Sequence, residues 1–135
     1  MHKEIRKSRL ERGELLEFSM VKESRQQATA IRFSEEEGGV EIGRAWLYII
    51  HNDLHPEPYG FLEDVFVRES ARKSGIATRL VNAVKERCKK EHCYKLVATS
   101  RHGRDKVHKL YLDLGFRPHG HEFRIDFTEG ETHDD

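Results

Sequence analysis

Two periods divide the chain. Up to Val67 the apolar positions recur at every second residue. Leu16, Phe18 and Met20 alternate with polar neighbours, and Thr29, Ile31 and Phe33 do the same, which predicts two half-buried strands. Residues 35–39 end in Gly-Gly and read as a turn, and a longer strand follows from Val40 to about Ile50. Residues 51–58 hold two prolines, Asn and Asp and predict a loop, after which the aromatic and β-branched run from Tyr59 to Val67 predicts another strand. At Arg68 the period lengthens. Ile76, Leu80, Val84 and Cys88 recur every four residues with Ala77 and Val81 beside them, the apolar stripe of a helix whose Lys89-Lys90 end suits the dipole. Residues 94–99 predict a short strand. Val107, Leu110, Tyr111 and Leu114 predict a second helix closed by Gly115, and the alternation of Phe123, Ile125 and Phe127 predicts a last strand. Strands first, then strand–helix–strand–helix–strand, make an α/β or α+β domain with one sheet.

With 135 residues, a single domain over 1–135 is expected, with a charged arm over about 1–12 and an acidic tail over about 128–135. Charged residues reach 36%, but 24 Lys+Arg balance 24 Asp+Glu, so the polarity is not that of a disordered chain with a large net charge. A neutral total also argues against a general nucleic-acid binder. The longest apolar run, residues 45–50, is too short to span a bilayer, and the N-terminus has no apolar leader core, so a cytoplasmic protein without a membrane partner is expected. Cys88 and Cys93 suit neither a disulfide framework nor a four-ligand zinc site. His51 and His55, and His119 and His121, lack an obvious third ligand, so no metal is expected.

Charge placement changes the picture. From Arg68 to Lys95 nine basic residues face three acidic ones, a net of +6, whereas residues 122–135 carry six acids and one Arg, a net of −5. The basic segment opens where a strand gives way to a helix through Arg72-Lys73-Ser74-Gly75-Ile76-Ala77-Thr78. A helix start offers unpaired N–H groups and the positive end of the dipole to an anion, Gly75 lets a ligand approach the backbone, and Arg72 and Lys73 add charge. The same Ser and Gly would serve equally as ordinary capping residues. The turn has neither the glycines of a Walker loop nor the G-x-G-x-x-G of a dinucleotide fold. An aromatic RNA-stacking strand at residues 59–66 is excluded by Glu63 and Asp64, which would repel phosphates. A second motif, Leu110-Tyr111-x-x-Leu114-Gly115-Phe116, starts its Tyr 36 residues after Gly75, with one helix and one strand between. Alone, Tyr111 reads as an apolar-face residue whose hydroxyl reaches water.

Together, in this order and spacing, Arg72-x-x-Gly75-Ile76-Ala77 and Leu110-Tyr111-x-x-Leu114-Gly115-Phe116 resemble the GNAT superfamily of acetyl-CoA-dependent N-acetyltransferases. The resemblance covers roughly residues 59–127. It implies a mixed central sheet splayed after the strand that ends at Val67, flanking helices, and a reduced N-terminal helical part. It implies that Val65, Phe66 and Val67 take the pantetheine arm of acetyl-CoA, that the N–H groups from Arg72 to Ala77, with Thr78, hold the pyrophosphate, and that Arg104 and His108 border the cofactor. The implied reaction passes the acetyl group directly to a primary amine of a small molecule or protein. By the same resemblance Tyr111 is the general acid, and a backbone N–H at Val67 polarises the carbonyl. Glu63, assigned to the same strand parity as Val65 and Val67, is the expected base, with His108 as a second candidate. Relatives commonly carry Gly where Lys73 stands, so Lys73 fits if its backbone is helical; they commonly carry Asn near Arg104. A non-catalytic acyl-CoA-binding subunit and a cofactor-free anion-binding module are the competing classes. The strands read between Glu14 and Ile50 leave little room for the two helices that usually wall the amine pocket, so an open groove is expected, for a protein amine or for completion in a homodimer. Residues 3–16 folding back as a helix is the alternative.

Overall fold

The computed structural model describes residues 27–129 and, before them, the backbone of four two-residue strands. These are β1 (His2–Lys3), antiparallel to β4 (Lys22–Glu23), and β2 (Lys7–Ser8), antiparallel to β3 (Glu17–Phe18). The expected charged arm and the 16/18/20 alternation otherwise lie outside the described residues, as does the end of the acidic tail.

The main sheet has the order β5–β6–β7–β8, from β5 (Ala28–Glu37), β6 (Val40–Ile50), β7 (Tyr59–Val67) and β8 (Leu96–Ala98). The first three strands are antiparallel, and β8 runs parallel to β7. Gly38 and Gly39 join β5 to β6 with φ of 59° and 78°, a two-residue turn that side chains rarely tolerate at both positions. Helix α1 (Ile76–Lys90) crosses from β7 to β8, and α2 (Asp105–Asp113) follows β8.

Alternation along β6 sorts its residues between two faces. Ala45, Leu47 and Ile49 are buried and join Leu62 of β7 against Ile76, Leu80, Val81, Val84 and Cys88 of α1. Two glycines bring helix and sheet together. A Cβ at Gly43 would stand 2.6 Å from Ile76 Cγ2, and one at Gly60 would stand 2.8 Å from Cys88 Sγ. On the other face Arg44, Trp46 and Tyr48 are half-buried, with Trp46 and Tyr48 stacked 6.1 Å apart.

The C-terminal strand expected at Phe123, Ile125 and Phe127 is not formed. Residues 116–129 belong to no strand, and those three side chains are 90, 77 and 92% exposed. Alternation encodes which face a strand would bury but not the partner whose backbone completes it. Here no described strand pairs with the segment. The strand expected over 94–99 shortens to Leu96–Ala98, because only these residues pair with Gly60–Leu62.

Candidate active site

Beyond Leu62 the two parallel strands separate. β8 is paired with β7 only at Gly60, Phe61 and Leu62, whereas β7 stays paired with β6 as far as Val67. The edge of β7 from residue 63 onward therefore faces an opening. The Arg68 N–H donates to the Ile42 carbonyl at 2.8 Å, which turns the neighbouring Val67 N–H and C=O away from β6 and into that opening. The carbonyl accepts from Arg72 Nε at 3.0 Å on that side.

A bulge shapes this strand. Arg44 pairs with Phe66 and Trp46 with Glu63, so Asp64 and Val65 together oppose Ala45. Asp64 takes the left-handed conformation, φ 56°, which Asp tolerates better than most residues, and Arg44 Nε holds its carboxylate at 2.7 Å. The bulge reverses the alternation. Val65 and Val67 pack towards the core, whereas Glu63 and Phe66 are exposed on the opposite face, Phe66 beneath the Arg44 guanidinium at 4.7 Å. The shared parity expected of Glu63, Val65 and Val67 is thus corrected. Only the backbone of Phe66 can address the helix side.

After β7 comes a single 3-10 turn (Glu69–Ala71), then the loop into α1. Lys73 has φ 68° and Gly75 φ 80°, so Lys73 is left-handed rather than helical and occupies a conformation suited to glycine. Ser74 Oγ donates to the Ala71 carbonyl, and Arg79 bridges the Ser74 carbonyl (3.2 Å) and Glu35 of β5 (2.6 Å). These contacts pin the loop to the sheet. They leave the N–H groups of residues 73–78 without acceptors among the described residues, six donors around two left-handed positions at a helix start.

A cleft of about 320 Å³ connects these features, lined by Val67, Arg72, Lys73, Gly75, Ile76, Ala77, Thr78, Lys106 and Leu110. The cleft thus joins residues of the loop, the end of β7 and α2. Glu63, Val65, Phe66, Ser74, Arg104, His108 and Tyr111 do not line the cleft, though Tyr111 follows the lining residue Leu110 on α2. His108 Nε2 instead lies 2.9 Å from the Arg101 carbonyl, and Arg104 borders a broad hollow along residues 101–107. Lys106 was missed as a cleft residue. Its signal in the sequence is its i, i+4 spacing to Leu110 on one face of α2.

Tyr111 is fixed by the way α2 ends. The Phe116 N–H donates to the Tyr111 carbonyl (2.9 Å) and the Gly115 N–H to that of Leu112 (3.1 Å), a Schellman pair that needs the left-handed Gly115, φ 99°. The Tyr111 and Phe116 rings then meet at 5.1 Å. Lys85 Nζ ties the Leu114 carbonyl to α1 at 2.6 Å. Burial raises the Tyr111 pKa above its usual 10, partly countered by Arg104. The phenol is therefore protonated at neutral pH. Its hydroxyl makes no hydrogen bond with the described residues and is not sealed from solvent. No group of His, Cys, Asp and Glu among the described residues could hold a metal ion, and no helix there is long and apolar enough to cross a membrane.

Comparison with known proteins places this arrangement. The family described as Acetyltransferase (GNAT) family matches residues 3–116. No curated protein matches the chain. Among solved structures, a Trypanosoma brucei acetyltransferase is 29% identical with a TM-score of 0.65, covering 74% of this chain and 69% of its own. AAC(6')-Iy in complex with the bisubstrate analogue CoA-S-monomethyl-acetylneamine is 26% identical with a TM-score of 0.58, covering 76% and 70%. Glucosamine-6-phosphate N-acetyltransferase from Arabidopsis thaliana is 22% identical with a TM-score of 0.67, covering 73% and 67%, and shares the fold. The chain thus spans about two thirds of the length of the structures it matches.

Proposed function

We propose, for a chain that belongs to the acetyltransferase (GNAT) family, that it transfers the acetyl group of acetyl-CoA to a primary amine by direct attack in a ternary complex. The observation that carries this reading is the cleft itself. Six backbone donors at 73–78, without acceptors among the described residues, adjoin the outward-turned Val67 N–H, with Arg72, Lys73 and Lys106 as cations along the wall. Such a row suits a diphosphate at one end and an amide-bearing arm along β7 at the other. The residues present fit acetyl-CoA. When bound there, it would supply an acetyl thioester, an acyl group already activated for aminolysis.

The chain's own groups divide the remaining work. The N–H groups of residues 73–78 and the Lys73 and Lys106 ammonium groups hold the phosphates, and Arg72 braces the loop against the Val67 carbonyl. The Val67 N–H polarises the acetyl carbonyl as negative charge builds on its oxygen. Glu63 takes a proton from the incoming amine. Its place on the face away from the helices suits this role, because the helix side of the splay is where the cofactor would lie. Tyr111 gives its proton to the departing sulfur as the N–C bond forms and the C–S bond breaks, and its raised pKa keeps that proton available through neutral pH. Trp46, Tyr48 and Phe66 beside Glu63 offer an apolar floor for the acceptor.

Thiol release from acetyl-CoA against an amine panel tests the reading. Turnover with at least one primary amine is expected, and Tyr111→Phe should lower kcat by roughly 10²-fold with acetyl-CoA binding unchanged. Binding without turnover on any amine would favour a non-catalytic acyl-CoA-binding subunit, and no binding would leave an anion-binding module. A kcat within about twofold of wild type for Tyr111→Phe would assign the proton to solvent instead.

A further inference from the structure

Tyr111 stands in the last turn of α2, and its hydroxyl makes no hydrogen bond with the described residues that would fix it. Its place is set by the end of the helix. The Tyr111 carbonyl accepts from the Leu114 N–H (3.1 Å) and the Phe116 N–H (2.9 Å), and the Leu112 carbonyl from the Gly115 N–H (3.1 Å). The Leu114 carbonyl comes last, at the negative end of the helix dipole, an end that a cation stabilises. The last turn of α2 has no basic residue, and the nearby Lys109 ammonium is taken by Asp113 at 3.0 Å. The cation comes from another helix: Lys85 Nζ of α1 donates to the Leu114 carbonyl at 2.6 Å. Lys85 lies one turn after the buried Val81 and one turn before the buried Cys88, so its stem follows the margin of the α1 stripe. Its head rests against the glycine that closes the turn, for a Cβ on Gly115 would stand 4.0 Å from Lys85 Nζ. Lys85 lines neither the cleft nor the hollow along residues 101–107.

We propose that Lys85 is a positioning residue for acetyl transfer, which from α1 fixes the last turn of α2 and so holds the Tyr111 phenol where its proton is delivered. The inference rests on the reading of Tyr111 as general acid. The linkage is short. Lys85 holds the Leu114 carbonyl, and the N–H of the same Leu114 donates to the Tyr111 carbonyl. The helix that supplies the anchor is also the one whose start carries the N–H row of the cleft. One rigid element therefore sets both the seat of the cofactor and the place of the acid, and Lys85 is the joint between them. A proton donor misplaced by about 1 Å costs up to about 10²-fold in rate, whereas binding of the cofactor does not depend on where the phenol stands.

The test is steady-state kinetics of the full chain with acetyl-CoA and a turned-over amine, for wild type, Lys85→Met, Lys85→Arg, Tyr111→Phe and the double variant Lys85→Met/Tyr111→Phe, each checked by circular dichroism. Lys85→Met keeps the apolar stem and loses the donor. It should lower kcat about tenfold and leave KM for acetyl-CoA within about twofold. Lys85→Arg, which keeps a charged donor, should stay within about threefold of wild type. In the Tyr111→Phe background, where no phenol proton is left to place, Lys85→Met should cost less than about twofold. An unchanged kcat in folded Lys85→Met, or the same tenfold loss in the Tyr111→Phe background, would overturn the proposal. A Tyr111→Phe protein with unchanged kcat would instead overturn the general-acid reading beneath it. Hydrogen exchange of the wild type needs no variant to fold. The Leu114, Gly115 and Phe116 amides should be protected to the same degree as those of Val84 and Cys88, because Lys85 couples the turn to α1. Exchange of those three at the rate of an unstructured chain would also overturn it.

Discussion

Gly43→Ala is a small substitution at the point where sheet, helix and cleft meet. Gly43 pairs across the sheet with Val67, and a Cβ added to it would lie 2.6 Å from Ile76 Cγ2 and 3.2 Å from Leu80 Cδ1. Carbon atoms rest about 3.5–4.0 Å apart, so Ile76 must retreat by about 1 Å. Its Cγ2 is bonded directly to Cβ and cannot swing aside without an off-rotamer χ1, and its backbone opens α1 immediately after Gly75. Overpacking of this kind costs about 1–3 kcal/mol. Against it stands the gain of about 0.5–1 kcal/mol when Ala replaces Gly within a strand. The net loss is about 1–2 kcal/mol, or some 4–8 °C in Tm at about 4 °C per kcal/mol for a domain of this size. The shift should also disturb the N–H row and weaken acetyl-CoA binding severalfold. Thermal unfolding and calorimetric titration of the same samples measure both. Ile76→Ala removes Cγ2, so adding Gly43→Ala to that background should cost nothing further, a coupling expected only of residues in contact. A Gly43→Ala protein with unchanged or higher Tm and full affinity would refute the reasoning that this glycine seats the helix start.

Three other outcomes follow from the same geometry. Glu63→Gln should lower kcat at neutral pH by about 10²-fold while leaving KM for acetyl-CoA unchanged, since Glu63 lies on the face away from the cleft; equal loss in both constants would contradict its role as base. Lys73→Gly exchanges a left-handed lysine, costing about 1–2 kcal/mol, for the extra unfolded-state freedom of Gly, about 0.5–1 kcal/mol, so urea unfolding should show a gain of up to about 1 kcal/mol; a clear loss would contradict the left-handed assignment. Burial, with Cys93 as the next cause, pushes the Cys88 thiol from 9.0 up to about 12. The folded state therefore keeps a proton that the unfolded chain releases, so this contribution to stability is whole below pH 9 and is lost as pH rises towards 12, at up to about 1.4 kcal/mol per pH unit. Cys88→Ala should flatten that alkaline slope in denaturant titrations, and an unchanged slope would contradict the burial of the thiol.

The elements with a strong single period were legible in the sequence. β6 and β7 have the predicted bounds, and Ile76, Leu80, Val84 and Cys88 are the buried stripe of α1. Of the second motif only Leu110 lines the cleft, and Gly115 closes α2 as its position implied. What the period could not reveal was local backbone geometry. The bulge at Asp64 moves Glu63 to the opposite face from Val65, and the adjacent polar pair Glu63-Asp64, which breaks the alternation, was its only trace in the sequence. Lys73 is left-handed because Ser74, Arg79 and Arg72 hold the loop from both sides, whatever its own preference. The 123–127 alternation predicts a strand that is not formed, because pairing is a long-range property that five residues cannot encode.

The most direct test of the central claim, that the turn from β7 into α1 holds acetyl-CoA, is calorimetric titration of acetyl-CoA into the wild type and Gly75→Val. Gly75 has φ 80°, and a Cβ there would meet only Arg79 Nη1 at 3.6 Å. The protein thus has room for the side chain, which would stand over the N–H row and resist the left-handed backbone. Wild type should bind, and a folded Gly75→Val should bind at least tenfold more weakly, a loss of about 1.4 kcal/mol or more. Equal affinity in the two proteins, or no binding by the wild type, would contradict the account.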